Sequence, residues 1–545
     1  MSPGTYSPPA NCNFTTVVFN MTITSVGINY DRLALLYFGD IEVWRSTTAM
    51  PVRTGIYYTF FKDMTAYASL LREDQKVIMQ LDNIYDSVFT GNFDVTITAL
   101  FFNDEGSVTP ADLILPISSQ SSASNDTSVF SLPSDNATVS LSFPRNVERA
   151  VVSIFASGNG NEEFWYTDVP GQFTSTFNTS FANGYGPWRE VQVLIDGQLA
   201  GVSWPFPIVF TGGISPGLWV PIVGIDTYDL GSVDVDISPW LGLLCDGSEH
   251  SFELKVVGYN SRTTLGTVAS NWWVSGEVFL WLDEGGNQTT GGNLNSFLPE
   301  PTFELSSATT TYTNGSNSSL LVELSAQRVL SFSNTIYTSA GSRLLSWEQS
   351  LSYQNTQNIT AAGYNETLWQ STNGSTVFSR AASNRTATAS YEYPISFAQD
   401  YIVPADPTVV NSTLIATLDR SKLTRGNTIL SELTYASRDT LTNSTVHTPL
   451  LQTRQNGSCF YLWNNTYYEF AGAIDPAVGT IGATDQWFSW AGYVETAQGR
   501  EFEEYERYVS AVDGYEPVLV VDRQGDHLID VPPTEVVTSI DIDEL

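Results

Sequence analysis

Cysteine and histidine, the residues that build most thiol and zinc sites, are scarce in this 545-residue chain. The cysteines are Cys12, Cys245 and Cys459, and the histidines are His250, His447 and His527. Their spacing fits neither a zinc site nor a serine triad, and no cysteine has the surroundings of a catalytic thiol. We therefore expect neither a zinc site nor a serine or cysteine nucleophile served by histidine. The odd number of cysteines leaves open whether one disulfide forms beside a free thiol.

Basic residues are also few. The chain has 23 lysines and arginines against 58 aspartates and glutamates, which gives a net charge of −35. Such a surface repels phosphate groups, so nucleic acid and anionic membranes are not expected as partners. The charge also fits a protein that simply needs to be soluble, and it identifies no substrate by itself.

Long apolar runs are missing as well. The most apolar stretch, from Trp204 to Ile225, contains four prolines and a pair of glycines, so a membrane-spanning helix is not expected. The opening residues MSPGTYSPPA have neither the basic start nor the apolar centre of a secretory leader. We expect that any leader is not present in this chain.

Glycosylation sequons, in contrast, are dense. The chain has 16 Asn-x-Ser/Thr sites, which favours a secreted, extracellular protein that carries glycans. Because serine, threonine and asparagine are abundant, several of these matches arise by chance. The candidate glycosylation sites include Asn13, Asn20, Asn125, Asn136, Asn178, Asn287, Asn358, Asn365, Asn443 and Asn464.

Apolar and polar residues alternate along most of the chain, as in Phe19 to Thr24 and Phe93 to Thr98. Alternation with a period of two is typical of strands with one buried face, and turn residues separate the runs. Long amphipathic patterns with a helical period are missing. The sequence therefore predicts an all-β protein.

A short repeat divides the chain further. Asp63-Met64-Thr65-Ala66-Tyr67 and Asp236-Ile237-Ser238-Pro239-Trp240 are each followed by a Leu pair and a strand. Thr65 and Ser238 are predicted to cap a short helical turn. With polar breaks near residues 118–128 and 285–301, this repeat predicts β-sandwiches at 10–118 and 132–290 and a β-rich domain at 302–545.

Two segments resemble functional motifs of other proteins, but each lacks a feature that the motif requires. Gly213-Ile214-Ser215-Pro216-Gly217 matches a hydrolase elbow, but Pro216 lacks the backbone N–H that such a site offers to the oxyanion. The acidic residues between Asp226 and Asp236 lack the glycine-punctuated pattern of a calcium loop. A turn and an acidic loop explain these segments better.

Two carboxylates remain as catalytic candidates. Asp31 lies between an aromatic and a basic residue at the entrance to an apolar strand, and Glu163 lies in a glycine- and asparagine-rich loop that runs into Phe164-Trp165-Tyr166. Acids beside aromatic rings suit a sugar site, because rings stack on pyranose faces while the acid moves a proton. An ion pair for Asp31 and a solvated loop position for Glu163 are the alternatives.

Several segments between residues 12 and 284 resemble, in order, the N-terminal domain of the peptide:N-glycanase A family. They include Tyr30-Asp31-Arg32, Gly39-Asp40-Ile41-Glu42-Val43-Trp44-Arg45, Lys62-Asp63-Met64-Thr65, Glu163-Phe164-Trp165-Tyr166, Pro187-Trp188-Arg189-Glu190-Val191 and Leu280-Trp281-Leu282-Asp283. The last 250 residues or so are similar to the more variable part of that family.

The resemblance implies two side-by-side jelly-roll-like sandwiches and an amidase that acts on N-glycosylated peptides or glycoproteins. It would release the intact glycan as a glycosylamine and leave aspartate in the peptide, without a cofactor. Asp31 would act as base or orient water, and Glu163 would contact the first sugar or help protonate the leaving nitrogen. Candidates for substrate binding are Arg32, Arg45, Asn83, Asp86, Trp165 and Arg189.

The resemblance is incomplete at one position. A second glutamate in the first domain of the more distant peptide:N-glycanase F would fall near Asp82, Asn83 or Asp86, and no glutamate is there. A third acidic role therefore has no assigned residue.

Two other functions also stay open, namely a glycan-binding protein without activity and a glycosidase that cleaves between sugars with two carboxylates.

Overall fold

The computed structural model describes the greater part of the chain. The described residues are 2–27, 29, 31–49, 55–87, 89–103, 110–178, 182–215, 218–219, 223–261, 264–380, 385–402, 411–426, 450–464, 480–496, 499–512 and 518–524. Tyr30, Pro216, Asn443, His447 and His527, which the sequence singled out, lie outside them. The described residues are mainly antiparallel strand, which confirms the all-β prediction.

The first part of the chain forms two sheets that face each other. The strands are β1 (Ser2–Tyr6), β2 (Thr16–Val26), β3 (Leu33–Phe38), β4 (Ile41–Thr47), β5 (Ile56–Asp63), β6 (Gln75–Leu81) and β7 (Asn92–Phe102). One sheet has the order β1-β6-β3-β4 and the other β5-β2-β7. Alternate residues of β2, such as Phe19 and Met21, are buried in one core with Leu36 and Trp44 of the facing sheet.

The next part forms a second pair of sheets. Its strands are β8 (Leu113–Ile117), β9 (Phe130–Leu132), β10 (Thr138–Ser142), β11 (Val147–Gly158), β12 (Arg189–Ile195), β13 (Gln198–Ser203), β14 (Val233–Asp236), β15 (Glu249–Ser261), β16 (Thr264–Gly266) and β17 (Trp272–Leu282). The orders are β10-β15-β12-β13, with β16 on β15, and β14-β11-β17-β8, with β9 on β17. Because β8 precedes residue 118 and pairs with β17, it ties the two predicted sandwiches together.

The predicted repeat has the same structure in both copies. Each is a 3-10 turn (Thr65–Tyr67 and Ser238–Trp240) that continues into one α-helical turn, α1 (Ala68–Leu71) and α2 (Leu241–Leu244). In each copy the aspartate two residues before the turn's first residue accepts a backbone N–H at 2.8 Å.

The capping prediction is wrong in detail, since Met64 and Ile237 occupy the N-cap positions. The Thr65 and Ser238 hydroxyls instead accept backbone N–H groups from the neighbouring strands β2 and β11. These side chains fasten the turn to the sheet, which local sequence cannot reveal.

The remaining strands form one long antiparallel sheet. They are β18 (Thr290–Gly291), β19 (Asn295–Phe297), β20 (Thr302–Thr311), β21 (Asn317–Thr338), β22 (Gly341–Thr360), β23 (Asn365–Arg380), β24 (Arg385–Ile402), β25 (Asn411–Gly426), β26 (Leu450–Asn464), β27 (Thr480–Thr496), β28 (Gly499–Val512) and β29 (Val518–Gln524). The order runs from β18 to β21 and then sequentially to β29, with β19 and β20 also on β21. We call this the C-terminal sheet.

One face of the C-terminal sheet packs on the second sandwich. Leu368 and Phe397 share a core with Trp165 and Tyr166, and a separate cluster joins the sheet to Trp188 and Trp204. The contact therefore lies against the loop that follows β11. None of the helices in the described residues has the length and apolar character needed to cross a membrane.

Candidate active site

Asp31 lies in the loop between β2 and β3 and is half-buried. The chain next to it is fixed to the end of β4, because the Arg32 N–H donates to Thr48 Oγ1 (2.9 Å) and the Thr48 N–H donates to the Arg32 carbonyl (3.0 Å). On the other side, the buried Asn29 amide donates to the Gly91 carbonyl (3.0 Å). These bonds hold Asp31 at one end of the first sandwich.

Asn83 contacts the same backbone carbonyl as Asn29, whereas Asp86 forms a turn of its own. The Asn83 amide also donates to the Gly91 carbonyl (2.8 Å), so Asn83 and Asn29 share one acceptor, and the role of Asn83 in lining the site stays a prediction. Asp86 is exposed and accepts the N–H of Phe89 (2.8 Å), which closes its own turn.

Glu163 lies just beyond β11, between the 3-10 turns Gly160–Glu162 and Trp165–Thr167. The turn folds back tightly on the strand, since a Cβ at Gly158 would lie 2.3 Å from the Glu162 carbonyl oxygen. Gly160 has a φ of +56°, which glycine adopts without strain. The two glycines therefore allow the sharp bend that turns Glu162 and Glu163 to different sides.

Glu162 points into the protein and anchors the loop. Its carboxylate accepts two bonds from the Arg189 guanidinium (2.6 and 3.0 Å), and it also accepts the Ala269 N–H and the Trp272 indole N–H, both at 2.7 Å. Glu162 and Arg189 are both fully buried. A buried pair with this many hydrogen bonds fixes the loop strongly. Glu162 was not predicted from the sequence, because two adjacent glutamates in one loop look alike until their partners are known.

Arg189 is therefore a structural residue in this geometry. Beyond Glu162 it donates to Asp168 (2.9 Å) and to the carbonyls of Tyr185, Gly186 and Trp188. Its exposed fraction is 1%. The structure does not bring Arg189 to a surface where it could contact a sugar.

Arg45 and Trp165 are placed in the interior in the same way. Arg45 makes a bidentate pair with Glu42 (2.7 and 2.8 Å) and donates to Ser157 and to the Trp273 carbonyl. Trp165 is 3% exposed and packs between Tyr166 and Trp272. Packing, rather than substrate contact, is what the structure supports for both side chains.

Asp31 and Glu163, in contrast, lie in one electrostatic environment although 132 positions separate them in sequence. Burial raises the pKa of Glu163 to about 7, and the negative charge of Asp31 adds to that rise. Burial raises the pKa of Asp31 to about 6, against the opposing effects of a backbone hydrogen bond and the Arg32 charge. The fold thus brings acids from both sandwiches together, while their catalytic roles stay predictions.

Such a pair can move protons at near-neutral pH. Two carboxyl groups that feel each other lose their protons in two steps, so one is ionised while the other still holds its proton. The ionised group can act as a base and the protonated group as an acid. In the described residues no three His, Cys, Asp or Glu side chains are grouped as metal ligands.

The predicted glycosylation sites fall mainly on exposed positions. Asn20 and Asn365 are half-buried, whereas the side chains of Asn443 and Asn464 lie outside the description. The exposed sites are Asn13, Asn125, Asn136, Asn178, Asn287 and Asn358. Attachment of a glycan requires an exposed asparagine, and these six sites meet that requirement.

Comparison with known proteins identifies a family for this chain. Residues 2–296 match the model of the family described as peptide N-acetyl-beta-D-glucosaminyl asparaginase amidase A, and residues 321–395 match the C-terminal domain of that family. A curated relative, peptide-N4-(N-acetyl-beta-glucosaminyl)asparagine amidase A of Prunus dulcis, is 36% identical over 306 residues. That match covers 52% of this chain and 52% of the relative, so the chain spans about half the length of the curated relative it matches.

Solved structures give weaker matches. Peptide:N-glycanase F has a TM-score of 0.33 at 15% identity, covering 52% of this chain and 89% of its own. The glycosylasparaginase PNGase F from Flavobacterium meningosepticum has a TM-score of 0.31 at 17% identity, with the same coverages. The family model, which matches more than half of the residues, decides the assignment: this chain belongs to the peptide N-acetyl-beta-D-glucosaminyl asparaginase amidase A family.

Proposed function

We propose that this protein hydrolyses the amide bond between an N-linked glycan and the asparagine side chain of a peptide or glycoprotein. The observation that carries the proposal is the electrostatic coupling of Asp31 with Glu163, in a chain of this family. Water would add oxygen to the side-chain carbonyl carbon while the carbon–nitrogen bond breaks. The glycan would leave as a glycosylamine, and aspartate would remain in the peptide.

Asp31 is the better candidate for the base. Its pKa of about 6 is lower than that of Glu163, so it loses its proton first and can accept one from the attacking water. Glu163, with a pKa of about 7, keeps its proton longer and can give it to the departing nitrogen. The pair regains its starting state when the proton taken by Asp31 returns through solvent to Glu163.

The pH dependence follows from these pKa values. Activity requires Asp31 ionised and Glu163 protonated, so the rate rises as pH passes about 6 and falls as it passes about 7. The rising and falling parts of this pH profile report the coupled pair of carboxyl groups rather than single residues. Rates measured from pH 4 to 9 on a glycopeptide would be expected to trace a narrow bell.

The products identify the reaction. A defined glycopeptide is incubated with the enzyme in heavy-oxygen water, and peptide and glycan are weighed by mass spectrometry. An amidase incorporates one heavy oxygen into the new aspartate and releases the complete glycan. A glycosidase would instead leave a sugar on asparagine, and a lectin would leave the glycopeptide unchanged; either result would refute the proposal.

A matched pair of variants controls this experiment. Asp31→Asn keeps the shape of the side chain but removes the base, so glycan release should fall about 1,000-fold. Asp74→Asn makes the same chemical change at an exposed position, at the opposite end of β6 from Asn83, and it should retain wild-type release. Loss of activity in both variants would argue that the assay reports folding rather than the Asp31 carboxylate.

We also propose that the protein is secreted through the eukaryotic secretory route and that its two sandwiches are jelly rolls. The exposed sequon asparagines support the first point. Expression in secreting cells, with the mass of each sequon peptide measured, tests it; unmodified asparagines throughout would count against it. The interleaved strand orders of both sandwiches support the second point, and an experimental structure would decide it.

A further inference from the structure

The C-terminal sheet has one face against the second sandwich and one face toward solvent. In β22 the buried Asn355 and Gln357 amides donate to the Tyr166 and Asp168 carbonyls of the second sandwich, each at 3.0 Å. Asn358, which follows Gln357, is exposed. Because successive side chains of a strand point to opposite faces, Asn358 lies on the solvent side. We call this side the outer face of the C-terminal sheet.

Trp369 lies on this outer face in the next strand, β23. Among the tryptophans whose burial the structure describes, it alone is exposed, with 44% of its surface open to solvent. Its direct partners across the sheet are Thr356 of β22 and Ser396 of β24, which are too short to cover an indole ring. A single exposed apolar side chain is common and identifies no ligand by itself. A sequon on the neighbouring strand does indicate one.

The sequon Asn358-Ile359-Thr360 places a glycan acceptor beside this ring. Asn358 pairs with Thr367 of β23, and Thr356, two residues earlier in β22, pairs with Trp369. Directly paired residues of an antiparallel sheet point to one face, so Asn358 and Trp369 are diagonal neighbours on the outer face. Such neighbours lie about 7–8 Å apart, which aromatic side chains can span. A sugar on the Asn358 amide would therefore begin within reach of the indole ring.

Two further sequon asparagines of β23 lie on the outer face, but they are less well placed. Asn365 and Asn373 are half-buried, and they lie four residues before and after Trp369, which is about 13 Å along the strand. Asn365 accepts the Tyr401 N–H, and Asn373 donates to the Ser371 hydroxyl, both at 3.1 Å. Of these sequon asparagines, the exposed one beside the ring is that of β22.

We propose that Asn358 carries an N-linked glycan whose first sugar packs against the Trp369 ring. Tryptophan offers a large, flat apolar surface, which suits the apolar face of a pyranose. This inference rests on the proposed secretory route, and it does not depend on the proposed amidase activity. The packed sugar is shielded from enzymes that remove glycans, including a second copy of this protein.

The release of glycans from individual sites tests this directly. The full chain is produced in cells that secrete glycoproteins with high-mannose glycans, and mass spectrometry of its peptides should find a glycan on Asn358. The native protein is then treated with an endoglycosidase that cleaves between the first two sugars. Release at Asn358 should be about fivefold slower than at Asn125, an exposed sequon in a loop, because a ring contact holds the first sugar in place. Unfolding the protein first should abolish this difference.

Variants of the ring identify the contact. Trp369→Ala should raise the release rate at Asn358 to that at Asn125 and leave the rate at Asn125 unchanged. Trp369→Phe keeps an aromatic ring and should retain part of the protection. Phe297→Ala is the matched control, because Phe297 of β19 is 58% exposed on another strand of the same sheet, and its loss should not change release at Asn358.

The outcomes separate this inference from the proposed secretory route. If no sequon carries a glycan, both fail. If other sequons carry glycans and Asn358 is bare, the inference is wrong and the secretory route stands. A glycan on Asn358 that is released equally fast from the wild type and from Trp369→Ala would also overturn the inference. Should Trp369→Ala fail to fold, Trp369→Thr places at this position the residue type of its neighbours Thr356 and Thr367, and the same comparison applies.

Discussion

The loops that carry Asp31 and Glu163 are held in different ways. A few bonds within the first sandwich fix the Asp31 loop, and the one near charge that lowers its pKa is Arg32. The Glu163 loop is fastened by the buried Glu162–Arg189 pair and by amides of the C-terminal sheet. Among the described residues, the charge that shifts Glu163 is that of Asp31, which raises its pKa. Two acids of similar chemistry thus become a base and an acid through their surroundings.

The largest effect should come from removing the two carboxylates separately. Asp31→Asn should lower kcat about 1,000-fold and Glu163→Gln about 100-fold, because a base that activates water is harder to replace than an acid that assists a leaving group. Single-turnover rates on one glycopeptide measure both. Equal losses would indicate that the two loops do not differ in role.

Among these positions, substitution in the buried Glu162–Arg189 pair should lower the stability of the fold most. Glu162→Gln removes one of the two carboxylates that pair with the Arg189 guanidinium, the other being Asp168. We expect a loss of about 3 kcal/mol in the free energy of unfolding. Urea denaturation measures it. Glu163→Gln, one residue along, removes no ion pair and should change stability far less; similar losses would contradict the distinct orientations of the two side chains.

Glu163 should also affect how stability depends on pH. Its pKa is about 7 in the folded state against 4.5 for an unperturbed glutamate, so the folded protein binds more protons between these pH values. The stability associated with the protonated group is complete below pH 4.5 and is lost as pH rises through 7. Glu163→Gln should flatten the fall in Tm over this window, and an unchanged slope would exclude this contribution.

A smaller loss of stability is expected in the loop that carries Asp31. Asn29→Ala removes one buried hydrogen bond to Gly91 and should lower stability by about 1 kcal/mol. Because Asn83 still donates to the same carbonyl, the oxygen stays paired. Thermal unfolding of Asn29→Ala and of the double variant with Asn83→Ala checks this, since the double loss should exceed the sum of the single losses.

What the sequence could predict is mostly local. The alternation of apolar and polar residues predicted the strands, and the repeat at Asp63 and Asp236 predicted two turns of the same form. Asp31 and Glu163 emerged from their aromatic and basic neighbours and from the family resemblance. These features depend on residues close in the chain, where periodicity and turn chemistry are informative.

The missed features depend on partners far apart in the chain. Glu162 and Arg189 are 27 positions apart, and Asn355 meets Tyr166 across 189 positions. Arg45 and Arg189 were candidates for substrate binding, and tertiary packing pairs both with buried glutamates. Without knowledge of these partners, a structural arginine and a site arginine look alike.

The coupling of the two acids can be measured directly. Carbon-13 NMR of carboxyl-labelled glutamate, followed from pH 4 to 9, reports the pKa of Glu163 in the wild type and in Asp31→Asn, with Glu163→Gln used to assign its resonance. Because the Asp31 charge raises the pKa of Glu163, that pKa should start near the value of about 7 and fall in Asp31→Asn. An identical pKa in both proteins would show that the two acids do not share a site.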